Sequence, residues 1–311
     1  MNIMPKVSVC IPTYNRANYL KESIKSVLNQ TLQDFELIIC DNASVDNTEE
    51  IVLSFKDSRI VYHKNIENVG AFRNINLCLK LAKCDYITIF HDDDIMLPDN
   101  LIHKVSFLEE NPNISLVCSN VYIIDENGKI SGTHWDESID HNKLTTVSSH
   151  FEKLFLEGNP IIFPSVMMRK VCSDFIGEFE PIGCCDWEYW MRVSLFYNLA
   201  YLKEPLIKYR KHSGNDSHRY IWLIEAERAR KSVCDRYSSQ FSFMRSLEEI
   251  TKKNYSKDAI NLSWRYLRKN PQIFIRLMIF SFQNSVIDSL IYIYLSIIDK
   301  LKSRFVKYFV N

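Results

Sequence analysis

The stretch Tyr86-Ile-Thr-Ile-Phe-His-Asp-Asp-Asp-Ile-Met-Leu-Pro98 constrains this chain more than any other. Its first half is β-branched and aromatic without a turn former, the composition of a buried strand. It runs directly into three carboxylates, Asp92, Asp93 and Asp94. Three like charges repel one another and resist burial, so the strand is expected to end at a wet edge where something positive meets them. In an open α/β sheet that edge is the crevice beyond the carboxyl ends of the strands, where ligands bind. If the segment stays extended, His91 and Asp93 share one face and Asp92 and Asp94 the other. One or two carboxylate oxygens facing a cleft suit Mg²⁺ or Mn²⁺, ions usually completed by a substrate's phosphates. An acidic loop that only caps the next helix is the simpler alternative.

The surrounding chain decides between the two. Val7 to Ile11 reads as a strand, Tyr19 to Gln30 as a helix, Phe35 to Cys40 as a second strand and Thr48 to Phe55 as a helix with Asp46 as its N-cap. Arg59 to His63, a helix from Ala71 to Ala82, the strand Tyr86 to Phe90, a helix Pro98 to Glu110 and a strand Ile114 to Ser119 continue the alternation. That rhythm implies an α/β fold with a mostly parallel sheet flanked by helices. Afterwards it breaks. Asp125-Glu-Asn-Gly128 signals a hairpin, Phe151 to Leu156 a short helix, Ser165 to Arg169 a strand, and Asp186 to Phe196 a helix. Leu199 to Leu202 and Leu206 to Arg210 look like two further short strands.

Three loops of the sheet carry matching chemistry. Asp41 ends the second strand, where a carboxylate can accept an imide N–H from a base edge. Tyr14 ends the first with a ring able to stack on that base. Arg73 lies in the first turn of the helix after Gly70, where helix dipole and guanidinium both favour phosphate. Each has a structural alternative: turn carboxylate, core ring, surface charge. Their recurrence at the ends of successive strands favours a nucleotide site. The first strand is followed by Pro12-Thr-Tyr-Asn rather than a glycine-rich loop. That disfavours a dinucleotide-dependent dehydrogenase or a sugar nucleotidyltransferase.

Six stretches, in order, resemble the family 2 inverting glycosyltransferases with the GT-A fold, of the kind that builds bacterial surface polysaccharides. They are Val7-Ser-Val-Cys-Ile-Pro-Thr-Tyr-Asn-Arg16, Phe35-Glu-Leu-Ile-Ile-Cys-Asp-Asn-Ala-Ser44, Asn68-Val-Gly-Ala-Phe-Arg-Asn74, the acidic triplet with Leu97-Pro98, Cys185-Asp-Trp-Glu-Tyr-Trp-Met-Arg192 and Tyr209-Arg-Lys-His212. The resemblance implies that Pro12, Tyr14 and Asp41 hold the nucleoside of a nucleoside-diphosphate sugar, with Arg16 in the same group and Arg73 near the diphosphate. It implies ribose and metal contacts at Asp92 and Asp93, a Mg²⁺ or Mn²⁺ cofactor, and Asp186 as catalytic base. His91 stands where the family often has the first Asp of its motif, whereas Asp93, the position that most needs an oxygen, is intact. His212 is a candidate second metal or phosphate ligand, or a loop histidine. Trp187 and Trp190 are expected as plain core or as an apolar wall that raises the pKa of Asp186. A sugar-nucleotide-binding module without transfer activity is the rival, and it would lack Asp93 or Asp186.

The formal net charge is zero but unevenly spread. From Ile221 onward there are 16 Lys+Arg against 8 Asp+Glu, whereas Met1 to Tyr220 has 22 against 30. The expected organisation is a GT-A catalytic domain over 1–219, with a nucleotide-sugar half (1–120) and an acceptor half (121–219), and a helical extension over 220–311. From Pro271 the chain is rich in Ile, Phe, Leu and Tyr, yet Arg276, Asp288 and Asp299 cut it into uncharged runs of 11 and 10 residues. Those are short of the ~18–20 residues of a span. Lys300, Lys302, Arg304 and Lys307 interleave with Leu301, Phe305 and Phe309, which suits a helix lying in an anionic interface. Packing on the catalytic domain or on a second subunit as a homodimer is the alternative. A glycan or lipid-linked glycan acceptor is expected, and no nucleic acid. Nine cysteines without a Cys-x-x-Cys pair, and an N-terminus without a signal-peptide core, point to reduced thiols and a cytoplasmic protein, at the inner face of the membrane if the tail binds lipid.

Overall fold

A computed structural model describes residues 4–134, 147–212, 219–266 and 270–309, without the side chains of 147–149, 219–221, 253 and 298–309. The chain divides into two compact units: 1–181 with 185–215, and 182–184 with 216–311.

In the first unit β1 (Val7–Thr13), α1 (Ala17–Leu28), β2 (Phe35–Asp41), α2 (Thr48–Ser54), β3 (Ile60–Lys64), α3 (Ala71–Leu81) and β4 (Tyr86–Ile89) alternate as expected. After them come β5 (Ile95–Met96), α4 (Asn100–Glu110), β6 (Ile114–Ile124), β7 (Ile130–Thr133) and α5 (Val147–Glu157). A 3-10 turn (Phe163–Ser165), β8 (Val166–Arg169), α6 (Lys170–Ile176), α7 (Cys185–Phe196) and β9 (Asn198–Arg210) complete the unit. The strands form one sheet in the order β3-β2-β1-β4-β8-β6-β9-β5, with β7 paired to β6. This is the helix-flanked sheet expected of a GT-A fold.

The parallel part is β3-β2-β1-β4, whose registers set Val7 beside both Phe35 and Tyr86 and Thr13 beside Asp41. The other half is mixed. β8 inserts antiparallel between β4 and β6, so the fifth strand of the sequence does not neighbour the fourth. Alternation predicts parallel pairing only where each connection is a crossover, and the β6–β7 hairpin ends that regime. The two short strands expected after Leu199 are one strand, β9, which follows β6 in parallel through two register shifts around Ser119 and Asn120. The core lies between the sheet and its helices, built from Val9, Ile11, Leu20, Ile24, Leu37, Ile39, Phe90, Leu101 and Val117, among others. All nine cysteines are buried thiols, the adjacent Cys184 and Cys185 included.

The second unit carries α8 (Arg219–Tyr237), α9 (Met244–Tyr266), α10 (Pro271–Asn284) and α11 (Val286–Phe309). α9 is the centre, packed by α8, α10 and α11. Small residues allow close approach: Ser256 and Ser281 exchange hydroxyl-to-carbonyl hydrogen bonds of 3.1 and 3.0 Å. Asn270 caps α10 by accepting from Ile273 N–H, with Pro271 at the first helical position. Among the described residues no helix is long and apolar enough to cross a membrane. The basic residues from Lys300 on lie outside the described side chains.

Candidate active site

The carboxyl ends of the four parallel strands gather the sequence candidates along one edge. β1 ends beside β2, so Asn42 N–H donates to Thr13 O (2.9 Å), and Phe90 N–H donates to Cys10 O (2.8 Å) before the acidic triplet begins. The triplet does not remain extended. A turn over Asp92 and Asp93 cancels the alternation expected of a strand. Asp92 is drawn to β1, where Thr13 Oγ1 donates to its Oδ2 at 2.7 Å. His91, Asp93 and Asp94 come together instead, each offering a ligand atom within 4.8 Å of the others.

Asp93 and Asp94 are buried, contrary to the expectation of a wet edge. Cations from elsewhere in the chain make this tolerable. Arg210, at the end of β9, donates its backbone N–H to Asp94 Oδ1 (2.8 Å) and its Nε to Asp93 O (2.8 Å). Its Nη1 reaches Asp125 O and Glu126 O, and its Nη2 pairs with Glu22 at 2.6 Å. His212 Nε2 lies 2.9 Å from Asp93 Oδ2 and 3.0 Å from Arg16 Nη1, with its ring stacked on Tyr19. Arg16 is itself 3.6 Å from Asp93 Oδ2. Burial pushes the Asp92 carboxyl up to about 7, and burial with Asp93 beside it raises Asp94 well above the ordinary carboxylate range.

The donor set fits a hard divalent cation. Among the described residues Asp94 Oδ2 is buried without a hydrogen-bond partner, 3.6 Å from His91 Nδ1, and such an oxygen is costly unless something positive meets it. Asp93 belongs to this set and also touches His212, so the two metal candidates read from the sequence are adjacent.

Around this centre the nucleotide candidates differ in availability. Tyr14 is 42% exposed at the end of β1, and Pro12 is partly buried in the same strand. Arg73 is exposed in the first turn of α3, which begins after Gly70 at φ 87°. Asp41 is fully buried, and both oxygens are engaged: Ser44 N–H donates to Oδ1 and Tyr62 OH to Oδ2 (2.8 and 2.7 Å). Burial and the adjacent Asp41 hold the Tyr62 phenol firmly protonated. Four asparagines, three of them inside the family-like stretches but given no role there, brace this edge. Asn42 accepts from Asn65 Nδ2 and Val69 N–H and donates to Asn68, while Asn74 accepts from Asn65 and donates to Cys40 O. They tie the start of α3, and with it Arg73, to the end of β2.

Asp186 sits in the first turn of α7, partly buried, and accepts from Asn159 Nδ2 at 2.9 Å. Burial pushes its carboxyl up to about 6. Trp187 and Trp190 are core. Trp187 Nε1 donates to Leu154 O (2.9 Å), and Trp190 packs edge-on against Phe163 and Phe179. Phe163 in turn meets His91 edge-on at 5.4 Å, linking the helix of Asp186 to the triplet. Tyr209 completes the link: burial raises its phenol to about 12, with Asp94, Asp93 and Asp186 all adding to the rise. One side chain therefore feels both carboxylate groups.

Known proteins share this plan. Residues 8–174 match the family described as Glycosyl transferase family 2. An uncharacterized glycosyltransferase of Methanocaldococcus jannaschii is 35% identical over 66% of this chain and 71% of its own. The Escherichia coli protein WfgD, a UDP-Glc:alpha-D-GlcNAc-diphosphoundecaprenol beta-1,3-glucosyltransferase, is 38% identical over 44% of this chain and 54% of its own. Among solved structures, S. aureus TarS 1-349 in complex with UDP-GlcNAc superposes with a TM-score of 0.67 at 16% identity, over 90% of this chain and 81% of that one. The mannosyltransferase PcManGT of Pyrobaculum calidifontis, in complex with GDP-Man and Mn²⁺, gives 0.52 at 18% identity, over 73% and 62%. With a family match over more than half its length and a relative of this identity and coverage, the chain belongs to glycosyl transferase family 2 and is a glycosyltransferase.

Proposed function

We propose that this enzyme transfers a sugar, with inversion, from a UDP-sugar to a hydroxyl of a glycan or lipid-linked glycan acceptor, using Asp186 as general base. The observation that carries the reading is the packed path from the helix of Asp186 to the triplet, in which Trp190 of α7 meets Phe163 and Phe163 meets His91 edge-on at 5.4 Å. Inversion needs in-line attack at the anomeric carbon, so base and leaving diphosphate must flank one sugar. A carboxyl poised near 6 is ionised at neutral pH yet basic enough to take a hydroxyl proton as it becomes acidic in the transition state. The acceptor oxygen bonds to the anomeric carbon, its proton passes to Asp186, and the nucleoside diphosphate leaves.

Asp93 would hold a Mg²⁺ or Mn²⁺ ion, with His91 and Asp94 or His212 beside it. When bound, the ion neutralises charge on the leaving diphosphate. Tyr14 offers a ring to the base, Pro12 and Asp41 shape its edge, and Asp92 lies where a ribose hydroxyl would be met. Arg73 offers a guanidinium at a helix start to phosphate, and Arg16 supports Asp93 and His212. UDP is favoured because WfgD is named for UDP-Glc and a TarS complex contains UDP-GlcNAc, while the GDP-Man complex of PcManGT keeps guanine as the competitor. A thermal-shift panel of UDP-, dTDP- and GDP-sugars with and without Mn²⁺ tests this. The expected result is a metal-dependent shift largest for a UDP-sugar; a larger GDP-sugar shift overturns it. NMR of the product on a GlcNAc-diphospho-lipid acceptor should show the inverted anomer.

We assign catalysis to 1–219 and contact with the cytoplasmic membrane face to the helical extension 220–311. On α11 Ile287, Ile291, Tyr294 and Leu295 are exposed at helical spacing, and on α10 Ile275 and Ile279. The sequence beyond adds four cations after Asp299. An apolar stripe beside cations suits an anionic lipid surface, which would bring the site to a lipid-linked acceptor. The full chain should sediment with liposomes in proportion to anionic lipid, and an Ile287→Ser/Ile291→Ser/Leu295→Ser variant should not. Equal recovery of both in the supernatant would leave the stripe as a subunit contact.

A further inference from the structure

The loop 158–162 joins α5 to the 3-10 turn and lies outside the six stretches that carry the family resemblance. It is pinned at several points. Trp187 of α7 donates to Leu154 O near the end of α5, Ile161 N–H donates to Asn159 Oδ1 (3.0 Å), and His134 Nε2 lies 3.1 Å from Pro160 O. Gly158 enters the loop at φ 108°, a conformation any side chain would strain. Pro160 restricts the backbone on the other side of Asn159. The product of this bracing is the 2.9 Å contact from Asn159 Nδ2 to Asp186 Oδ2. The sense of the amide follows from chemistry: Ile161 N–H needs an acceptor, so the carbonyl faces it and the NH₂ is left for the carboxylate.

We propose that Asn159 is a positioning residue for transfer: its amide grips Oδ2 of Asp186 and sets the rotation of the carboxylate that takes the acceptor's proton. This rests on the reading of Asp186 as the base. A carboxylate has a broad torsion about its last bond, and one charge-assisted hydrogen bond from a braced loop narrows it. The choice of a neutral donor matters. A lysine or arginine there would hold the carboxyl far below neutrality and weaken it as a base. An amide restrains it while burial keeps it near 6, the Trp187 N–H and Asn159 both pulling against burial. Tyr209 of β9, which interacts electrostatically with Asp186, is a neutral phenol over the working range.

The test uses the full chain with ¹³C-labelled aspartate, the Asp186 carboxyl resonance being identified by its loss in Asp186→Asn. Its midpoint in the wild type is expected near 6. Removing a donor to the anion raises the midpoint, so Asn159→Ala should move it up by about one pH unit. Asn159→Asp should move it further by placing a second carboxylate there. Asn159→Asp keeps the acceptor for Ile161 N–H, so the loop stays folded even if alanine loosens it. The acid limb of kcat should follow the midpoint, with the KM for the nucleotide-sugar unchanged. In an Asp186→Asn background Asn159→Ala should cost no further activity, because the two act as a unit. A purely structural asparagine would change the melting temperature and leave the titration in place, and that outcome overturns the proposal. An inactive Asp186→Asn beside an unmoved midpoint sinks the positioning role alone. A wild-type rate in Asp186→Asn sinks the base reading and the positioning role with it.

Discussion

In the site proposed above, the acidic triplet and Asp186 are two carboxylate centres held in opposite ways. The triplet is met by Arg210, Arg16 and His212, and by a hydroxyl from Thr13. Asp186 has a neutral amide and the first turn of a helix. The difference fits the role proposed for each. Adjacent carboxylates cannot be buried together unless cations or a metal offset their repulsion, so the chain recruits partners from over a hundred residues away. A lone carboxylate that is to accept a proton must avoid such partners, since a cation beside it would stabilise the anion and lower its basicity.

Removing Asp93 should break the first centre most severely. Asp93→Ala takes away the carboxylate shared by both metal arrangements and leaves His212 and Arg16 facing each other. Transfer is expected to fall ~10³-fold or more, and Mn²⁺-dependent stabilisation by a nucleotide-sugar should vanish. Near-normal turnover with Mn²⁺ would move the metal elsewhere. Asp186→Asn should break the second centre while sparing the first: transfer down by ~10²–10⁴, nucleotide-sugar binding intact. The wild-type pH dependence sharpens the contrast. The base works only when ionised, and its carboxyl is raised to about 6, so kcat should fall as pH drops through about 6. A limb at the ordinary carboxylate value of ~4 would mean that burial does not tune this group.

The two centres were unequally legible in the sequence. Local order was readable: strand and helix alternate from Val7 to Leu81 because each segment's apolar period is intact, and Tyr14, Asp41 and Arg73 do follow successive parallel strands. Of the partners, Arg16 and His212 were named from the family-like stretches, whereas Arg210 and Asn159 were not. Arg210 reaches Asp94 across 116 residues and Asn159 meets Asp186 from a loop with no pattern of its own, and neither contact leaves a periodic trace. The antiparallel entry of β8 was hidden for the same reason, since pairing between distant strands is decided by packing rather than by local propensity. The turn at Asp92 and Asp93 defeated the extended reading because the three carboxylates seek separate partners, which a straight strand cannot offer them. Trp187 and Trp190 show the converse: an aromatic pair beside a candidate base is core because its helix is buried nearly all round.

Asp41 gives the mildest test of how a buried carboxylate can still serve a ligand. Ser44 N–H and Tyr62 OH use one lone pair on each oxygen, and a carboxylate has about four acceptor sites, so room remains for an imide N–H of a base. Asp41→Asn keeps an acceptor for Ser44 but presents a donor where the base would donate. The dissociation constant for a UDP-sugar should rise ~10-fold or somewhat more, the worth of one hydrogen bond to a charged group, with kcat changed much less. Tyr62→Phe removes only the internal donor. It should cost about 1 kcal/mol of stability, read as a lower melting temperature, and alter the dissociation constant by less than ~3-fold. If Asp41→Asn binds as tightly as the wild type while Tyr62→Phe is destabilised, Asp41 is a structural carboxylate that fixes the loop after β2. The uracil edge would then be read by another group, with Tyr14 supplying only the stack.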